Sequence, residues 1–198
     1  MTNQATTKMP KRRWLTKDIV LEKAAELANQ QGDARQLSLA ELAAALDIRS
    51  PSLYNHVAGQ DGLLHDLTLW GLQKLLANIR QAVRGKVGRE ALLAVAQAYR
   101  DFAHTQPGIY PLTLHAHDPQ DAEWTALSNE LIGTLQLILA SYGFSGEAAL
   151  HAIRGWRSLL HGFVSLEMAG GFGLPLERDE SFSLLLEIYL DGMEKRWG

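Results

Sequence analysis

The sequence predicts an all-α protein: an N-terminal three-helix helix-turn-helix head joined to a C-terminal helical bundle. Three observations carry this prediction. Apolar residues recur at helical spacing in every long segment, and no strand-like alternation occurs anywhere. Glycine and proline punctuate the pattern at Gly32, Gly59, Gly85–Gly88, Pro107-Gly108 and Gly170-Gly171. The stretch Leu37–Leu64 reads as two short helices separated by a tight turn, followed by the start of a third. With 198 residues, 46% apolar and 21% charged, the chain can bury the core of one domain or two small ones.

Residues 1–13 are polar and basic without periodicity, and are expected to have no fixed structure of their own. Residues 14–59 form the head. Thr16 caps a first helix carrying Val20, Ala24, Leu27 and Ala28 on one face, and Gly32 ends it. Trp14 and Leu15, just ahead of the cap, are expected to staple its first turn. Ser38 and Glu41 make a capping box for a second helix with Leu39, Leu42, Ala43 and Leu46 as its stripe. Asp47 stands at the stop, a residue type that tolerates the left-handed conformation. Ser50-Pro51 restarts the chain, with Ser50 able to cap and Pro51 suited to the first helical position. Leu53 and Val57 supply the third helix's buried face, leaving Arg49, Ser50, Ser52, Tyr54, Asn55 and His56 outward. Such a unit has the shape and chemistry to enter a major groove.

A connecting helix over 60–84 belongs to both halves, with Leu64, Leu67, Leu75 and Ile79 on one side. The body, 85–198, opens with a helix over 89–105 marked by Leu92, Val95, Tyr99 and Phe102. A segment of undecided form follows over 109–115, then a helix over 119–142 with Trp124, Leu127, Leu131, Leu135 and Ile138 on one face. Ser145 is expected to cap a helix over 145–171, and the last helix covers 181–196. Both of these last two are apolar around most of their circumference. A second subunit can supply the missing cover, as a four-helix interface.

The head resembles the DNA-binding domain of the TetR family of bacterial transcriptional regulators over residues 15–65. The resemblance lies in the run Leu37 to Ile48, in Pro51 to Val57 (P-S-L-Y-N-H-V), and in the following D-x-L-L. Three departures are visible: Asp47 where Gly is usual, Gln60 where Lys is common, and Ala40 where some members carry Arg. The resemblance implies that Ser38, Tyr54, His56 and the Gln60 position touch phosphates. It also implies that Ser50, Pro51, Ser52 and Asn55 face base edges, with Arg49 at a guanine or a phosphate. In the body, Gly155-Trp156, His161-Gly162 and the long helix around them resemble the ligand-binding domain of WHG type found in TetR-like proteins. That implies a small-molecule pocket, for which Tyr99, Phe102, Tyr110, Trp124, Trp156 and His161 are the candidate lining residues.

Charge fits this division. Residues 1–60 hold eight Lys/Arg and six Asp/Glu, whereas the remainder holds eleven and sixteen, a mildly basic head on an acidic body. Cysteine is absent, which excludes disulfides and thiol chemistry and fits a cytoplasmic protein. No apolar run is long enough for a membrane span, and the N-terminus lacks a signal-peptide core. His115-x-His117 with Asp118 has the residue types for zinc or nickel, but i and i+2 diverge on a helix and nothing else supports a site, so no metal or cofactor is expected. No catalytic motif groups the serines and histidines. The expectation is therefore a homodimeric, ligand-responsive repressor binding a palindromic DNA operator and released by a small molecule. The alternative is a ligand-binding dimer with a weak or non-specific DNA head, acting through protein contacts.

Overall fold

The structure, a computed structural model, describes residues 15–115 and 120–197. The basic arm, Trp14, His117 and Asp118 lie outside the described residues. The described chain is helical throughout, with no strand. Helices α1 (Lys17–Gln31), α2 (Leu39–Ala45) and α3 (Ser50–Leu53) make the head, and α4 (Gly59–Ala82) leaves it. The body consists of α5 (Gly88–Thr105), α6 (Ala122–Ala140), α7 (Gly146–Met168) and α8 (Arg178–Trp197). Two 3₁₀ turns, Ala34–Gln36 and Tyr110–Leu114, fill the connections, and the second gives form to the undecided segment.

Helix α1 begins as its sequence predicts. The Thr16 hydroxyl accepts from the Ile19 amide at 3.3 Å, and Gly32 closes the helix at a φ of 80°. Its buried face is broader than the four-residue stripe, because Leu21 and Ala25 join Val20, Ala24 and Ala28. Helix α4 buries Leu63, Leu67, Leu72, Leu75, Leu76 and Ile79. Polar ties fasten it on both sides: Lys17 of α1 donates to Asp66 at 2.7 Å, and His65 meets Asp121, the α6 N-cap, at 2.6 Å. The helix is thus a shared strut between head and body.

A second junction is less visible in the sequence. The turn at Pro107-Gly108 presses against the end of α1. The Ala34 amide donates to the Gly108 carbonyl at 3.1 Å, and the Asn29 side chain bridges the Gln106 amide oxygen at 2.7 Å and the Gly108 N–H at 3.0 Å. A Cβ at Gly108 would stand 2.1 Å from the Ala28 carbonyl oxygen, so only glycine permits this approach.

In the body, α5 puts Leu92, Val95, Ala96, Tyr99 and Phe102 into the core. On α6 the predicted apolar face is only half covered. Ile138 and Leu139 are buried, while Trp124, Leu127, Leu131 and Leu135 keep partial exposure. Two expectations about caps need correction. Ser145 occupies the cap position of α7, but its hydroxyl makes no cap bond. At α3 the N-cap is Arg49, not Ser50, which moves Ser50 and Pro51 one position into the first turn. On α8, Phe182, Leu186, Leu190 and Met193 point inward, at the i, i+4, i+8, i+11 spacing of one helix face. Leu184 and Ile188 point outward, the latter 70% exposed.

Candidate DNA-binding face and effector site

The α2–α3 unit is built from a cap, a left-handed turn and two buried leucines. The Glu41 amide donates to the Ser38 hydroxyl at 3.2 Å, and the Glu41 carboxylate accepts from the Ser38 amide at 2.9 Å and hydroxyl at 2.6 Å. These bonds hold the Glu41 carboxyl below its ordinary pKa. They also commit the Ser38 hydroxyl proton within the box. Asp47 has a φ of 54°, the one non-glycine residue of the described chain in left-handed backbone. Leu42, Leu53 and Val57 then anchor the unit.

Around those anchors the outer face has the predicted composition. Arg49, Ser50, Pro51 and Asn55 are exposed, Ser52 and His56 are half-buried, and Tyr54 is 62% exposed. The regular helix is short, because Tyr54–His56 continue as a hydrogen-bonded turn: His56 and Val57 both donate to the Leu53 carbonyl. Gln60 behaves differently. Its side-chain amide donates to the Leu37 carbonyl at 2.8 Å, fastening the start of α4 to the entry of α2.

The six candidate lining residues separate into four places. Tyr99, Tyr110 and His161 come together as a polar relay in the core. The two phenol oxygens are 3.0 Å apart, and Tyr110 Oη lies 2.7 Å from His161 Nδ1. Burial and the nearby Arg157 charge lower the His161 pKa, which favours the neutral ring in this relay. Burial raises both tyrosines. Trp156 faces a narrow apolar slot with Leu92, Leu135, Leu139, Ile153 and Met193, and its indole N–H has no acceptor among the described residues. Phe102 is fully buried beneath Gly71 of α4, and Trp124 stands apart at the start of α6.

A further cluster is one the sequence reading did not single out. Arg100 of α5 forks onto buried Glu167 of α7, with Nε at 2.9 Å and Nη2 at 2.5 Å, and Nη2 also reaches Asp179 of α8 at 2.7 Å. Its guanidinium lies 4.9 Å from the Phe182 ring centroid and 5.8 Å from that of Phe163. His104 meets the same Glu167 at 2.8 Å. Chiefly through Arg100, the Glu167 pKa falls to about 2. A signal for this cluster was present. Glu167 continues the buried series Leu160, Phe163, Val164 at i+7, and Arg100 sits between Ala96 and Ala103 in the same register, so each places a charge where the helix pattern calls for an apolar side chain.

Comparison with known proteins bears on this arrangement. A model described as tetracyclin repressor-like, C-terminal domain, matches residues 92–189. The uncharacterized HTH-type transcriptional regulator YobS of Bacillus subtilis (strain 168) is 35% identical over 181 residues, spanning 90% of this chain and 93% of that protein. The chain belongs to the TetR family. Two solved structures share the fold of this TetR-family chain. One, a protein of unknown function from Rhodococcus sp. RHA1, aligns with a TM-score of 0.78 at 21% identity, over 93% of this chain and 98% of that one. The other, a TetR variant from Acinetobacter baumannii AYE in complex with minocycline, aligns with a TM-score of 0.66 at 21% identity, over 93% and 99%.

As a TetR-type regulator the protein is a DNA-binding transcription factor, and the family is not one of enzymes. The helix-turn-helix is the α2–α3 unit. Among the described residues, no group of three or more His, Asp or Glu converges as a metal site, and no helix is long and apolar enough to cross a membrane. His115 is turned toward the head, where Arg35 Nη2 lies 2.8 Å from its Nε2.

Proposed function

We propose that this TetR-type regulator is a homodimeric, ligand-responsive repressor of the cytoplasm that binds a palindromic operator and is released by a small-molecule effector. The observation that carries the DNA part is the outer face of α3. An aromatic ring and short polar side chains stand in solvent there, on α3 and the turn that continues it, anchored by buried Leu53 and Val57. In this reading Tyr54 and His56 meet phosphates, Ser38 sets the start of α2 through its box with Glu41, and Ser50, Pro51, Ser52 and Asn55 reach base edges. Arg49 adds a guanine or phosphate contact. Gln60 serves mainly by holding α4 to α2.

One four-residue helix reads only a few base pairs, so two heads are required. The dimer reading is supported by Leu150 and Leu166 of α7 and by Leu184 and Ile188 of α8, which are exposed apolar residues on neighbouring helices. Gly162 adds a place where a facing helix can approach closely, since nothing lies near its Cβ position. A stable two-fold packing of these helices would set the heads about 34–36 Å apart, one DNA turn. Effector binding would then bias α4 and the Gln106–Gly108 turn, which tie the body to the head, and change that spacing. The minocycline complex of the Acinetobacter variant supports a small molecule as the effector class.

The test is fluorescence anisotropy of the protein on duplexes from the region upstream of its own gene, against a scrambled control, at several salt concentrations. Tight binding of the specific duplex, with a log–log salt slope of about −0.9 per neutralised phosphate, is expected. Equal, weak binding to both duplexes would count against a specific operator in that region.

A further inference from the structure

Two clefts, of about 390 and 520 Å³, open on either side of Arg100, and both are lined by Arg100 and Asp179. Each falls within the roughly 300–1,000 Å³ range of small-molecule sites. Arg100 is buried and already neutralised by its fork to Glu167. Its third bond, to Asp179, is of another kind: the Asp179 side chain is 87% exposed, so water competes for it at every moment. Guanidinium Nη1 bonds no described residue. The Asp179 carboxylate is therefore the most replaceable partner of a buried cation that opens onto two clefts.

The larger cleft adds a second chemistry. Its far wall is Phe172, Leu174, Pro175 and Leu176, and Leu174 and Leu176 are mostly in water. Apolar side chains beside a buried guanidinium make an amphipathic surface that a headgroup and tail can satisfy together. The charge balance selects the headgroup. Glu167, Glu177 and Asp179 outnumber Arg100 and Arg178 in this cleft, so a dianion would meet more repulsion than a single carboxylate, which needs only the Arg100 contact that Asp179 gives up.

We infer that the cleft between α5, the 169–177 loop and the start of α8 binds an amphipathic monocarboxylate, whose carboxylate replaces Asp179 on Arg100 and whose apolar body lies along Leu174–Leu176. This deepens the effector part of the proposed function and rests on it only for the consequence. Asp179 is in the first turn of α8, so its release frees the end of a helix that carries the exposed Leu184 and Ile188.

Titration calorimetry on the full chain without DNA tests the site, with decanoate as probe and decan-1-ol and decylamine as comparators. Saturable binding of one decanoate per chain is expected, at least about tenfold tighter than either comparator. Asp179→Asn, at a solvent-exposed position, is expected to tighten decanoate about fivefold by removing the competing carboxylate. The paired change Leu174→Ser and Leu176→Ser, also on the surface, is expected to weaken it about tenfold. Failure of decanoate to saturate by ~2 mM, equal affinity for the alcohol, or an unchanged constant in Asp179→Asn would overturn the inference. Because DNA takes no part, a protein that binds decanoate in this pattern but no operator supports the site and counts only against the repressor reading.

Discussion

Tyr54 is the residue on which the DNA reading turns. A phenol ring left mostly in solvent on a helix that buries Leu53 beside it contributes nothing to the fold, so its removal isolates function from stability. Tyr54→Ala is expected to weaken operator binding by about tenfold, in line with ~1–3 kcal/mol for a good contact, while sedimentation and thermal melting stay unchanged. Loss of the dimer in that variant would show that the ring is structural after all. Ser38 and Gln60 differ from Tyr54, because each already has a bond inside the head. The Gln60 bond to the Leu37 carbonyl gives this side chain a physical role within the head.

At the scale of elements, charge holds three helices together. The Glu167 carboxyl is depressed from 4.5 to about 2 by Arg100 and then by His104, so its folded pKa lies below its unfolded one. Its stabilisation is therefore complete above about pH 4.5 and is lost as the pH falls toward 2, by an order of ~3 kcal/mol. Melting temperature followed from pH 7 to pH 3 should decline along this limb. Glu167→Gln should melt lower at pH 7, with a shallower acid decline, and an unaltered acid limb would show that other carboxylates dominate it. The Pro107-Gly108 turn is the other element-level device. Gly108→Ala forces a methyl group into the Ala28 carbonyl and should cost about 1–3 kcal/mol, read as a lower melting temperature. Proteolysis of that variant should cut between head and body more readily than in the natural chain.

For the whole molecule the decisive surface is the one a single chain leaves uncovered. Ile188 is mostly exposed, whereas Leu185 is half-buried against the core, so a charge at 188 tests assembly without unsettling the fold. Ile188→Glu is expected to sediment as a monomer at micromolar concentration and to lose specific operator binding, with helicity retained. A natural chain that is itself monomeric at that concentration would remove the α7–α8 interface from consideration. Head and body meet through α4, through the Gln106–Gly108 turn and through the Arg35–His115 contact, so a rearrangement of body helices has more than one route to the recognition helices.

Much of this architecture was legible in the chain itself, because it rests on local rules. The Ser38–Glu41 box, the Gly32 stop, the left-handed Asp47 and the stripe of α1 each depend on residues within one or two turns. The outward set on α3 follows from the burial of Leu53 and Val57 alone. What only the tertiary structure decided depends on partners far apart in sequence. The Gly108–Ala28 approach spans 80 positions, and the Arg100–Glu167 fork spans 67. Arg100 and Glu167 each break the apolar register of their own helix, but nothing periodic links either residue of these pairs to its partner. The apolar residues of α8 likewise divide into inward and outward sets only when the neighbouring helices are in place. Helical periodicity records which residues share a face; which face is covered, and by what, is settled by the packing of the whole chain.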